Sequence, residues 1–343
     1  MNRSDKKKPG WIVALSMFLV LAAMQIAMWA PDALSQEKKK LKVAAMLGSP
    51  VEQQWVGRVH DALVAAQKRG DIDYQLSENV EDADMIRVLR EYAEQGVDLI
   101  VGEVYPVERE ARQVAKDYPN IAFLLGSSLK PQEPNFAVYD NWNQDAAYLG
   151  GLIAGSITKS NTVGVVGAYP IPEINRLAGA FKQGVCEVNP KAKVLVNYIG
   201  SFYDPPKEKE AGIALIDSGA DVLYAERFGA IAAAKDRNIP AISNLTHYEQ
   251  QFRDTVITST LWHAEPFIDA AIDQVRKGQF KAIDYGEKFG LMKDGGASLA
   301  EFGPWEQKLP KQVVDLVRQR EKEILEGKFQ ATIVPNEVKS GGC

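Results

Sequence analysis

The sequence has little histidine and little cysteine, with three and two residues respectively among 343. His60, His247 and His263 are scattered along the chain without the spacing of metal ligands, so we expect no metal site. A pair of cysteines also excludes a disulfide-dense miniprotein. Cys186 lies within an apolar helical pattern and is interpreted as a small core residue. A disulfide between Cys186 and Cys343 is compatible with the sequence, but no sequence feature supports it.

The common catalytic motifs are absent as well. The chain contains no G-x-x-x-x-G-K-[ST] phosphate loop, no H-E-x-x-H zinc helix, no C-x-x-C pair and no G-x-S-x-G elbow. These absences remove the usual routes to an ATPase, a metalloprotease or a serine hydrolase. An S-x-x-K match at residues 156–159 falls at a predicted helix end without its companion motifs. An enzyme therefore has no positive support, and we expect no cofactor.

Basic residues are fewer than acidic residues. The chain has 40 lysines and arginines against 45 acidic residues, a net charge of −5. Because a nucleic acid or an anionic membrane surface favours a basic partner, neither is expected to bind. The hydrophobic share of 46% and the charged share of 25% are typical of a folded chain, whose size predicts about two domains.

Residues 1–35 have the layout of a secretory signal peptide. Basic residues between Arg3 and Lys8 precede an apolar run at 11–29, and Ala33 and Ser35 then provide an A-x-S cleavage site. No cysteine that could accept a lipid occurs before Cys186. We therefore expect a free periplasmic protein, with an uncleaved membrane anchor as the alternative.

From residue 41 onward, apolar runs typical of buried strands alternate with helical patterns. Strands are predicted at 41–47, 74–79, 97–101, 121–125, 136–139, 162–168, 193–199, 221–225, 241–243 and 255–261. Strand and helix pairs in succession predict parallel sheets covered on both faces. The two series predict an α/β fold of two doubly wound parallel-sheet lobes joined by a hinge. Residues 36–159 plus 256–284 are assigned to the N-terminal lobe, and 160–255 plus 285–343 to the C-terminal lobe.

The residues that follow each strand are the candidates for ligand binding. In open parallel sheets the ligand lies beyond the carboxyl ends of the strands, and here two lobes would face each other across a cleft. Asp204 is the exception, because it precedes two prolines and is interpreted as a helix N-cap. The candidate ligand-binding residues are Trp55, Gln53, Gln54, Glu103, Tyr105, Ser127, Tyr169, Pro170, Tyr203, Arg227, Phe228 and Asn244.

The residue types among these candidates favour a planar heterocycle with polar edges. Trp55 can stack on a flat ring, and packing on the neighbouring lobe surface is the alternative. Glu103 at a strand end is costly to bury unless a ligand amine or hydroxyl donates to it, or unless it caps the next helix. Arg227 is the one clear cation in these loops and can pair with Glu103 or Glu226 instead of a ligand. An anion therefore fits less well, and a sugar is the closest competitor.

Several segments resemble the basic membrane protein (BMP) family. They are T-V-G-V-V-G-A-Y-P-I-P-E at 162–173, F-Y-D-P-P-K-E at 202–208 and G-K-F at 327–329. Members are substrate-binding proteins of ABC importers with the two-lobed type I periplasmic binding protein fold, and those of known cargo take purine bases or nucleosides. The resemblance implies that Trp55 stacks on the base. One branch often has an Asp where this chain has Glu52 or Gln53, which favours a free base such as adenine.

The sequence therefore predicts a monomeric periplasmic receptor. It closes its lobes on a purine base or nucleoside and delivers it to an ABC permease in the inner membrane. One alternative is a sensory receptor that binds a sugar or another heterocycle. A second alternative is an enzyme of the nucleoside hydrolase type, which would convert its ligand rather than only bind it.

Overall fold

The computed structural model describes residues 40–127 and 129–343, and this part of the chain is an α/β protein with two sheets. The predicted signal peptide at 1–35, with its alternative as an uncleaved anchor, lies outside the described residues. Among the residues that are described, no helix has the length and apolar character needed to span a membrane.

Sheet A consists of five parallel strands in the order β2-β1-β3-β4-β5. The strands are β1 (Leu41–Met46), β2 (Ile72–Ser77), β3 (Leu99–Glu103), β4 (Ala122–Gly126) and β5 (Phe136–Tyr139). The helices between them are α1 (Gln54–Lys68), α2 (Asp82–Glu94) and α3 (Glu108–Asp117). Val43 and Ala45 of β1 belong to one apolar core, whereas Ala44 and Met46 belong to another. Alternate residues of a strand point to opposite faces, so sheet A is buried on both sides, as its apolar strands predict.

Sheet B has seven strands in the order β11-β10-β9-β8-β6-β7-β12. They are β6 (Thr162–Gly167), β7 (Lys193–Tyr198), β8 (Val222–Ala225), β9 (Ala241–Leu245), β10 (Val256–Trp262), β11 (Ala297–Leu299) and β12 (Gly341–Gly342). The remaining helices are α4 (Gln144–Ile157), α5 (Pro172–Val188), α6 (Pro205–Asp217), α7 (Gly229–Asp236), α8 (Glu265–Arg276), α9 (Tyr285–Phe289) and α10 (Lys311–Leu325). The outer strands β11 and β12 are antiparallel to their neighbours, and the other pairings are parallel. The predicted two-lobed α/β fold is confirmed.

Two elements lie in a different lobe from the one predicted. The expected bounds assign 36–159 and 256–284 to the N-terminal lobe. Helix α4 instead packs mainly against α5, and β10 pairs with β9 in sheet B. The chain returns to the first lobe only with α8 and α9, which pack against α1 and β5. Hydrophobic periodicity identifies an element but not the sheet edge it joins, so both assignments are corrected. The other lobe bounds stay a prediction.

A disulfide joins Cys186 near the end of α5 to Cys343. Next to it, β12 pairs with β7, so the last residues are attached to the edge of sheet B. Cys186 is therefore half of a crosslink and not a free core thiol. The two cysteines are 157 residues apart, which explains why no local pattern indicated the bond.

Candidate functional site

A cleft opens between the two lobes at the carboxyl ends of their strands. Its empty space is about 620 Å³, including the open mouth. We call it the interlobe cleft. The first lobe contributes Gly48, Ser49, Gln53, Trp55, Asp82, Met85, Glu103, Tyr105 and Pro106, and the second contributes Glu173, Phe202 and Arg227.

A second compartment of about 650 Å³ adjoins the interlobe cleft. The two spaces share Gln53, Phe202 and Arg227 as lining residues. The remaining residues of the second compartment are Glu52, Gln54, Tyr203, Glu208, Phe228, Tyr248 and Gln251. Gln54 Nε2 donates to the Tyr248 hydroxyl at 2.9 Å, which connects α1 of the first lobe to the loop after β9 of the second.

Trp55 lies at the start of α1, and Gln53 caps that helix. Gln53 Oε1 accepts hydrogen bonds from the backbone N–H groups of Trp55 at 2.7 Å and Val56 at 3.0 Å. The indole is 5% exposed and stacks on Tyr139 at a centroid distance of 5.4 Å, with Trp262 tilted against it at 5.3 Å. Trp55 thus packs against Tyr139 of β5 and Trp262 of β10, and it also lines the cleft. Its stacking on a ligand stays a prediction.

A buried hydrogen-bond relay connects Trp55 to Asn244 through the segment that crosses between the lobes. The indole Nε1 donates to Asn141 Oδ1 at 3.1 Å, and Asn141 Nδ2 donates to Asn143 Oδ1 at 3.1 Å. Asn143 Nδ2 then donates to Asn244 Oδ1 at 3.0 Å. Asn244 is 1% exposed and is not among the lining residues of the cleft. Its amide therefore organises the lobe junction.

Arg227 forms a buried ion pair with Glu226, one of its two predicted alternatives. Its Nη2 donates to Glu226 Oε1 at 2.5 Å and its Nε donates to Oε2 at 3.0 Å. The Nη1 atom donates to the carbonyl oxygen of Phe202 at 2.8 Å. Arg227 therefore lines both spaces while these three nitrogens already have partners in the protein.

Glu103 ends β3 and faces the cleft. The backbone N–H of Gly48 donates to its Oε1 at 2.9 Å, while burial raises the pKa of Glu103 to about 7. A Cβ at residue 48 would lie 2.7 Å from Met85 Cε and 3.2 Å from Glu103 Oε1, so a side chain there would displace the end of Met85 beside this carboxyl group.

Glu173 is the second carboxyl group in the cleft, and sequence reasoning missed it as an individual site residue. It belongs to the first turn of α5 and is 6% exposed, yet it has no hydrogen bond or ion pair within the described part of the chain. Burial, together with the carboxyl groups of Asp140 and Glu226, raises the pKa of Glu173 well above its ordinary value. Its position in the loop that resembles the BMP family was the available signal.

The other predicted aromatic residues are divided between the two spaces. Tyr105 lines the interlobe cleft and meets the Trp55 indole edge-on at 6.2 Å. Tyr203 and Phe228 line the second compartment, as does Gln54. Tyr169 lines neither space but packs against Phe202 at 4.8 Å.

Ser127 and Pro170 do not line either space. The Ser127 hydroxyl donates to Glu108 Oε1 at 2.6 Å and accepts from Arg112 Nη2 at 3.1 Å. Pro170 is exposed, and its carbonyl oxygen accepts from Asn175 Nδ2 at 3.1 Å. Asp82 and Met85 also line the cleft. They begin α2, which follows the predicted strand 74–79, so the rule that candidates follow a strand could have found Asp82. In residues 40–127 and 129–343 no group of three or more His, Cys, Asp or Glu side chains is placed to hold a metal ion.

A family described as "ABC transporter substrate-binding protein PnrA-like", Bmp, matches residues 42–326. The chain belongs to this family. The resemblance inferred from residues 162–173 and 202–208 is therefore confirmed, and the interlobe cleft is the candidate substrate site of a Bmp-family binding protein.

Curated relatives and solved structures agree with this assignment. A purine-binding protein of Brucella abortus is 30% identical over 265 residues, which are 75% of this chain and 75% of that protein. A candidate glucose-binding protein of an ABC transporter from Haloferax volcanii is 30% identical over 256 residues, which are 74% of this chain but 64% of the relative. A solute-binding protein of an ABC transporter from Aeropyrum pernix superposes with a TM-score of 0.71 at 20% identity, covering 86% of this chain and 94% of that chain. The last similarity concerns the fold alone.

Proposed function

We propose that this Bmp-family protein binds a purine base or nucleoside in the interlobe cleft and delivers it, as a periplasmic monomer, to an ABC permease in the inner membrane. The observation that supports the proposal is the lining of the cleft, where rings from both lobes lie beside carboxyl groups. Tyr105 of the first lobe and Phe202 of the second are 6.4 Å apart between ring centroids. Aromatic surfaces can cover the faces of a flat guest, while Glu103 and Glu173 accept hydrogen bonds from its edges.

The charge of the cleft argues for a neutral or donor-rich guest. Asp82, Glu103 and Glu173 line it, whereas the cation Arg227 is already paired with Glu226. An anionic guest would face uncompensated carboxylates without a free cation. A neutral heterocycle with N–H groups meets no such penalty, which agrees with the purine named for the Brucella abortus relative.

A sugar is the second candidate, because the Haloferax volcanii relative is named for glucose and sugars also lie against aromatic rings. Isothermal titration calorimetry of the full chain with adenine, guanine, adenosine and glucose separates the two. We expect binding of at least one purine compound and no heat with glucose. Binding of glucose alone would replace the purine proposal with the sugar one.

Turnover and location are tested separately. Incubation with adenosine followed by chromatography should return intact adenosine, and release of adenine would show the hydrolase alternative to be right. Cell fractionation of the full-length protein should recover it in the periplasmic fraction, and light scattering should give the mass of a monomer. Recovery in the cytoplasm would contradict the proposed delivery to a permease.

A further inference from the structure

Two carboxyl groups from different lobes line the interlobe cleft without a cation of their own. Glu103 ends strand β3 of the first lobe, and Glu173 begins helix α5 of the second. Neither forms an ion pair with any described residue, and the one hydrogen bond that Glu103 accepts comes from the backbone of Gly48. The remaining acceptor sites of both carboxyl groups are therefore open to the cleft, where a ligand can donate to them.

The charged side chains around Glu173 form ion pairs with one another and not with Glu173. Arg176 Nη2 donates to Asp140 Oδ2 at 3.0 Å, and Arg227 is held by both oxygens of Glu226. These four side chains together form two ion pairs, so they contribute no net charge. Neither arginine therefore forms an ion pair with the carboxyl group of Glu173. It is 6% exposed and lines the cleft, so its missing partner must come from the cleft itself.

We propose that the cleft is selective for amino-substituted planar heterocycles, which donate N–H groups to Glu173 from one edge and to Glu103 from the other. The inference rests on the proposed function and adds a rule for choosing among heterocycles. An amino group relieves the unsatisfied carboxyl oxygens, whereas a ring without amino groups leaves at least one of them unpaired. The raised pKa values of both groups agree with this pairing. A neutral carboxyl group donates and accepts at once, which matches an amino group beside a ring nitrogen.

The test compares adenine with purine, which lacks the amino group, and with N6,N6-dimethyladenine, which retains the nitrogen but not its N–H donors. Calorimetry is performed with the wild-type chain, with Glu173→Met and with Glu103→Met, because methionine retains the length of the side chain but not the oxygen atoms that accept N–H groups. We expect the wild type to prefer adenine over both analogues by about ten-fold or more, the range for a hydrogen bond to a charged or strongly polar group. In Glu173→Met the preference should fall to about three-fold or less.

Glu110→Met is the matched control, because Glu110 is exposed on α3 and lines neither space. It makes the same substitution away from the cleft and should retain the full preference for adenine. Circular dichroism and melting curves confirm that each variant is folded. Equal binding of adenine, purine and the dimethyl compound by the wild type would overturn the inference, as would a preference that survives both cleft substitutions.

A non-purine probe distinguishes this inference from the purine proposal. If purines bind without preference, the purine proposal stands and the selectivity is wrong. If no purine binds but 2,4-diaminopyrimidine does, and Glu173→Met abolishes that binding, the purine proposal is wrong and the proposed selectivity is right. If neither type of ring binds, both are overturned.

Discussion

The indole Nε1 of Trp55 donates a buried hydrogen bond of 3.1 Å to Oδ1 of Asn141, a residue 86 positions away at the crossing between the lobes. The bond orients the indole of Trp55, the predicted ligand-stacking residue, from the segment that crosses between the lobes. Asn141 also donates to Asn143, which donates to Asn244 of sheet B. The position of the indole is thus coupled to the junction on which lobe closure depends.

Replacing Trp55 is expected to affect both binding and stability. In Trp55→Ala we expect ligand binding to weaken by about 1–3 kcal/mol, from lost apolar contact and stacking. The free energy of unfolding should fall by about 3–5 kcal/mol, because the indole is largely buried. Calorimetry measures the ligand affinity, and urea unfolding measures the free energy of unfolding. Trp55→Phe retains a ring without the N–H donor and should lose less affinity and less stability than Trp55→Ala. An unchanged affinity in Trp55→Ala would remove Trp55 from the ligand site.

The raised pKa of Glu103 predicts a specific pH dependence of stability. Below its ordinary pKa of 4.5 the carboxyl group is protonated in both states. Between that value and about 7 the unfolded chain loses the proton first, so the free energy of unfolding decreases as the pH rises. Above about 7 the decrease is complete. Glu103→Gln should lack this decrease, which is on the order of 1–3 kcal/mol.

Urea unfolding from pH 4 to pH 8 measures the difference between wild type and Glu103→Gln. Burial also raises the pKa of Asp284, to about 6, but both proteins contain this group, so its effect cancels in the difference. Glu110→Gln, which removes an exposed carboxyl group on α3, is the control. Parallel curves for the wild type and Glu103→Gln would show that Glu103 is not the titrating group.

The hydrogen bond between Gln54 and Tyr248 is expected to slow ligand release. Tyr248→Phe removes the acceptor for Gln54 Nε2 and should raise the dissociation rate about 2- to 10-fold, the equivalent of one ordinary hydrogen bond. Stopped-flow displacement measures the rate. The control is Tyr203→Phe, because the Tyr203 hydroxyl lines the same compartment without a hydrogen bond to any described residue. Equal acceleration in both variants would contradict a role for this contact in closure.

The disulfide is expected to stabilise the fold. It closes a loop with a sequence separation of 157 residues, so its loss should lower the free energy of unfolding by about 2–5 kcal/mol. Urea unfolding of the wild type with and without reductant, beside Cys343→Ser, measures the effect. The variant should match the reduced wild type and not respond to reductant. A reductant-insensitive wild type would show that the bond contributes nothing to stability.

The sequence by itself determined most of the secondary structure and the family. Strand 136–139 is observed as predicted, and strand 121–125 is observed one residue later, as Ala122–Gly126. The predicted N-cap is also observed, since Asp204 Oδ1 accepts from the backbone N–H of Lys207 at 3.1 Å. These features depend on neighbours within a few positions, which periodicity and capping patterns report directly.

Only the tertiary structure decided which distant groups meet. It placed β10 in sheet B, bonded Cys186 to Cys343 and left Glu173 without a partner between two ion pairs. The relay from Trp55 to Asn244 includes hydrogen bonds between residues 86 and 101 positions apart. Such contacts follow from how the lobes pack and where the chain crosses between them. A pattern confined to neighbouring residues contains no information on either.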